Sequence, residues 1–156
     1  MDRASLVKMW DDAWKEGLWA APWSKSVEGL TAAQAAWQPE AAGAPGGMSA
    51  GKRHSIWQIV SHMCFWREYG LERARGGANR SEADVAANNW PQPATPTEEG
   101  WKALRERLAR SQQAIGAAFA DERVPLDRLK YVLGHDCYHM GQISVVRAML
   151  GLAAIE

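Results

Sequence analysis

The chain has 156 residues, 47% of them hydrophobic, and its 18 Lys plus Arg balance its 18 Asp plus Glu. That size suits one domain, residues 1–156, with a real core, and zero net charge leaves no long-range field toward polyanions, so no nucleic-acid partner is expected. No apolar run approaches a membrane span, and Asp2, Arg3, Lys8, Asp11 and Asp12 interrupt the first stretch before signal-peptide length, so no membrane partner and a cytoplasmic protein are expected.

The first helical pattern runs from Asp2 to Ala20, with Val7, Trp10, Trp14 and Leu18 at three- and four-residue steps. Ala21-Pro22 is the expected stop, because proline disfavours helix in the residue before it. A short helix follows, opened by a capping box of Thr31 and Gln34 and stopped by Pro39. Residues 39–52, rich in Pro, Gly and Ala, read as a loop within the same domain. Ser55 and Gln58 form a second capping box, and the helix they open carries His62 and continues to about Arg75, ended by Gly76-Gly77. Residues 76–96, with three prolines near their end, read as a second long loop able to cover one end of the structure. A third helix starts near Thr97, with Glu98 and Glu99 at its positive end and Trp101, Leu104, Leu108, Ile115 and Phe119 as its stripe. The fourth runs from about Leu126 to Leu150, before Gly151. Four helices and no alternating strand pattern predict an all-α protein, an antiparallel four-helix bundle with long loops. Nine tryptophans imply an aromatic-rich core, a lined pocket, or both.

His135 and His139 lie four apart, about 40° from each other around the helix and about 6 Å along it, the spacing with which HExxH helices grip zinc. Asp136 stands where that motif has its catalytic glutamate. Val132, Ile143, Val146 and Leu150 share the His139 direction, and Ile59, Phe65, Trp66 and Tyr69 share that of His62, so all three histidines face inward. A buried histidine is ordinarily a hydrogen-bonded core residue. A third inward histidine on a neighbouring helix leaves the core and metal readings level, and the local motif separates them.

That motif, His135-Asp136-Cys137-Tyr138-His139-Met140-Gly141-Gln142-Ile143 followed by Arg147 and Leu150-Gly151, resembles the C-terminal signature HDxYHxGQI of the DinB/YfiT-like superfamily. The segment from Ser55 to His62 resembles the same family's first-histidine helix, and the likeness is looser in helices one and three. The resemblance implies a four-helix bundle in which His62, His135 and His139 ligate a divalent metal, zinc or nickel. It further implies metal-dependent S-transferases or isomerases that use a low-molecular-weight thiol on a small-molecule substrate. Metal-dependent hydrolysis, a non-catalytic metal-binding or interaction role, and a metal-free bundle with coincidental histidines stay as alternatives.

Cys64 and Cys137 form no disulfide framework and point away from the histidine direction; both are expected as small buried residues. His54 precedes the Ser55 cap and is expected in a loop rather than on a metal. Asp136 and Gln142 are candidates to hold an imidazole tautomer. Gln58, Tyr69, Arg73 and Tyr138 are further polar groups near the histidines, and Arg73, Arg75 or Arg147 could steer an acidic group. Gly134, Cys137, Gly141, Ser144 and Ala148 line the back of the last helix and predict close burial against another helix, of this chain or of a second copy in a homodimer.

Overall fold

A computed structural model describes residues 2–39 and 53–155, and among them every regular element is helical. α1 (Arg3–Lys15) is capped by the Asp2 carboxylate, which accepts from the Ser5 N–H at 2.8 Å. It ends earlier than Pro22 requires: Gly17 turns the chain at φ +76, where an added Cβ would meet the Ala20 carbonyl oxygen. Pro22 instead caps α2 (Trp23–Ser26), which the periodicity did not separate. α3 (Ala32–Ala36) and α4 (Ile56–Ala74) carry both capping boxes, Thr31 with Gln34 and Ser55 with Gln58. Of the predicted loop 39–52, only Pro39 falls within the described residues.

The stretch 76–96 is not loop throughout. α5 (Glu82–Asn89) sits inside it, capped by Ser81, with Glu82 and Asp84 in its first turn. It buries none of its side chains, so no apolar stripe announced it. α6 (Glu98–Ala120) opens at Thr97 and buries its whole predicted stripe. A 3-10 turn, Leu126–Arg128, leads to α7 (Tyr131–Met149), and Gly151 ends the helix at φ +70.

α4 is the central element, packed by α3, α5, α6 and α7. From Ile56 through Phe65 every residue is buried, which is why a histidine in that run lies inside. α1 packs on α6 through Leu6, Trp10 and Ala13, a face turned one residue back from the predicted Val7 and Trp14. Trp10 Nε1 donates to the Gln112 carbonyl at 2.9 Å and Gln112 Nε2 donates to the Trp10 carbonyl at 3.0 Å. Trp101 Nε1 donates to the Leu30 carbonyl, so two core indoles have their one polar atom satisfied.

The back face of α7 is not buried by a helix of this chain among the described residues, one of the two neighbours expected for it. Gly134, Cys137, Gly141, Ser144 and Ala148 are all exposed. Cys137 is therefore not a buried packing residue, whereas Cys64 is. No helix among the described residues is long and apolar enough to cross a membrane.

Candidate metal centre

Where α7 crosses α4, the Nε2 atoms of three imidazoles meet. His135 Nε2 lies 3.1 Å from His62 Nε2 and 3.2 Å from His139 Nε2. His62 and His139 are buried, and His135 is the half-exposed member that opens the cluster toward solvent.

Each ring is oriented through its other nitrogen. His62 Nδ1 lies 2.8 Å from Asn89 Oδ1, which also accepts from Trp66 Nε1 at 2.9 Å. An indole N–H can only donate, so this atom of Asn89 is the oxygen, and His62 must carry its proton on Nδ1. His135 Nδ1 donates to Asp136 Oδ1 at 2.8 Å. Asp136 Oδ2 accepts from Arg67 Nε at 2.6 Å, and both side chains of this ion pair are fully buried. Arg67 is held in turn by Ser111 Oγ and the Leu108 carbonyl on α6. His139 Nδ1 faces Gln142 Oε1 at 2.7 Å, while Gln142 Nε2 donates to the Tyr138 hydroxyl. With every Nδ1 donating, all three neutral rings direct an Nε2 lone pair at their neighbours.

Three lone pairs at this separation repel one another unless a cation lies between them. Tetrahedral zinc with bonds of about 2.0–2.1 Å holds its nitrogens about 3.3 Å apart, and an octahedral ion at the same bond length about 3.0 Å apart. The observed spacings fall between the two, so the donor set fits a divalent ion without choosing zinc over nickel. Electrostatics agrees. Burial first, then the neighbouring imidazoles of His139 and His135, push His62 down to about 4 from its ordinary 6.5. Burial also lowers His139, against the raising effect of its bond to Gln142. Rings that resist protonation remain available as ligands.

His62, His135 and His139 are thus brought together as the spacing predicted, within 4.8 Å of one another and able to hold a metal ion. Asp136 and Gln142 each orient one ligand ring. Tyr138 packs edge-on to the His139 ring, whereas Gln58 closes its cap and donates to the Trp90 carbonyl, the Tyr69 hydroxyl accepts from Arg80 N–H, and Arg147 donates to the Ser26 and Glu28 carbonyls. His54 is no member of the cluster but stacks on Trp90, whose other face stacks on His62, each at 3.7 Å between ring centres. Asn89, Trp90 and Arg67 escaped the sequence reading. An asparagine at a helix end carries no signal of a histidine 27 positions away, and Arg67 is followed at once by Glu68, so in sequence it reads as part of a solvated charged end of α4. Through Asn89 and Trp90 the second connection packs against His62.

No curated protein and no solved structure matches the chain. The model of the DinB superfamily matches residues 21–143, a span that takes in all three histidines, the whole of α4 and α7 as far as Ile143. The chain belongs to the DinB superfamily.

Proposed function

We propose that His62, His135 and His139 bind one divalent transition-metal ion, zinc or nickel, and that the protein is a metal-dependent enzyme of the thiol S-transferase type. The observation that carries this reading is the convergence of three Nε2 lone pairs whose Nδ1 atoms are each committed to a protein oxygen. No cysteine, aspartate or glutamate joins the cluster among the described residues, which leaves coordination positions for a small molecule. A divalent ion so held supplies Lewis acidity and favours the thiolate form of a low-molecular-weight thiol.

The surrounding residues favour an anionic sulfur over an activated water. The Asp136 carboxylate is neutralised by Arg67, so no nearby charge offsets the ion's own, and a thiolate is attracted. The same carboxylate is occupied by His135 and Arg67, so it is not free to act as a general base for hydrolysis. Trp90 and Asn89 seal the far side of His62 from water. Cytoplasmic residence belongs to the same reading, since a reducing compartment keeps the exposed Cys137 and a thiol cofactor reduced. The uncovered face of α7 is assigned to a second copy of the chain, and light scattering on the eluting protein should give twice the chain mass.

Elemental analysis of purified protein is the direct test of the centre: about one zinc or nickel per chain in the wild type and none in His139→Ala. A wild type free of stoichiometric metal would remove the centre. Metal-replete protein that consumes none of the bacterial thiols with any of several electrophiles would remove the transferase chemistry and leave the metal site standing.

A further inference from the structure

Two hollows are lined by none of His62, His135 and His139. A groove of about 900 Å³ between α1 and α6 is lined by charges of both signs, including Lys8, Asp11 and Lys15. A cleft of about 840 Å³ beside Arg53, His54 and Tyr138 contains no ligand ring. A third, of about 290 Å³, has His135 in its wall. Its other walls include Trp66, Tyr69, Gly70 and Arg73 of α4 and Tyr131 of α7. The α4 residues stand at i, i+3, i+4 and i+7, a single helix face. Trp66 and Arg73 are seven residues apart, about 10 Å along the axis, so the cleft has a long dimension with the metal centre near one end and a guanidinium near the other.

The polar atoms of two of its aromatic walls are spoken for. Trp66 Nε1 donates to Asn89 and the Tyr69 hydroxyl accepts from Arg80 N–H, so both present ring surface to the cleft. Tyr131 is 71% exposed, an aromatic ring that nothing among the described residues buries. Lys130 lies over that ring at 5.2 Å. The acidic residues of α4 are turned elsewhere, Glu68 to Arg107 and Glu72 to Arg80. Arg67 borders the cleft but is matched by Asp136. Arg73 donates one N–H to the Gly77 carbonyl, and no carboxylate pairs with it among the described residues. What remains is an apolar, aromatic slot whose uncompensated charge is positive.

We propose that this cleft is a binding site for a small aromatic acid, its ring lying along Trp66 and Tyr131 and its carboxylate on Arg73, with the opposite end directed at His135. The inference rests on the proposed metal centre only for the meaning of that opposite end; recognition of the acid rests on α4 and α7 alone. It names the substrate class of the reading above: an electrophile or thiol acceptor built on an aromatic ring and bearing an acidic group.

The test is calorimetric titration of the full chain with 2-naphthylacetate and, as its uncharged match, 2-naphthylacetamide. The acid should bind about ten-fold tighter than the amide, the usual worth of one charge-assisted hydrogen bond. Arg73→Gln should erase that preference by weakening the acid alone, Arg73→Lys should keep most of it, and Tyr131→Ala should weaken both probes several-fold. Equal binding of acid and amide, an acid affinity untouched by Arg73→Gln, or no binding of either probe would overturn the proposal. The preference should survive in His139→Ala, so a failure of the metal centre and a failure of the acid site give different results. If Arg73→Gln fails to fold, Arg73→Lys with a longer carboxylate chain on the probe reads the same contact: the affinity lost to the shorter reach should return, and its failure to return counts against the site.

Discussion

The α1–α6 seam and the α4–α7 seam are both contacts between long helices, yet they bury opposite chemistry. Between α1 and α6 lie Leu6, Trp10, Ala13, Ile115 and Phe119, with Trp10 packed edge-on to Phe119, a reciprocal pair of neutral hydrogen bonds between Trp10 and Gln112, and at the rim Arg3 donating to the Phe119 carbonyl. Between α4 and α7, Met63, Met140, Ile143 and Val146 share their space with three imidazoles and, beside them, a fully buried ion pair. Burying two ions costs several kcal/mol each before their attraction returns any of it, and apolar residues of the same volume would serve stability as well or better. Facing lone pairs add to that cost. The second seam is therefore shaped by something other than stability, and the difference identifies the site more securely than cavity size does, since a hollow of about 900 Å³ lies along the first seam.

Substitutions can sharpen or break that contrast. The largest effect is expected for Asp136→Ala, which strands the Arg67 guanidinium in the core: a loss of about 3–5 kcal/mol in denaturant unfolding, together with about 10–100-fold weaker metal binding in chelator competition because His135 loses its partner. Phe119→Ala should lose a similar 3–5 kcal/mol through cavity formation, but metal per folded chain should stay at the wild-type level. If metal falls equally in both variants, the two seams are not functionally distinct.

Acid should act on one seam only. In the unfolded chain His62 titrates near 6.5, and in the folded chain near 4. Between those values the unfolded state holds a proton the folded state lacks, so stability rises with pH across this window. It is fully present above 6.5 and lost as pH falls through 4, a change of about 3 kcal/mol. Unfolding of metal-free protein followed from pH 7 to 4 should give that slope, and His62→Gln should flatten it. A wild-type profile already flat in this window would place the His62 ring in water. Gln142→Ala should have the smallest effect, about ten-fold or less in metal affinity with unfolding little changed, since it frees one ring without stranding a charge.

The helices were legible where local chemistry sets them. Thr31 with Gln34 and Ser55 with Gln58 are capping boxes within four residues of chain, and the α6 stripe repeats through five turns, so both could be read without knowing what packs against them. The histidine set was legible for the same reason on α7, where spacing alone places two rings together, and on α4 through an apolar run that could only be interior. α5 was missed because a helix that buries nothing has no periodic signal, and α1 was drawn too long because Gly17, not Pro22, breaks it. The small residues on the back of α7 announce room for a neighbour without saying which, and among the described residues no helix of this chain fills it.

Taken by itself, the amino-acid order determined an all-helical chain and a three-histidine set on two of its helices, because capping, periodicity and i, i+4 spacing act over one or two turns. Only the tertiary structure decided which oxygen holds each ring. Asn89 lies 27 residues from His62, and Arg67 lies 69 from Asp136. Such pairings are selected by the packing of whole helices, whose geometry brings together side chains that no local rule relates.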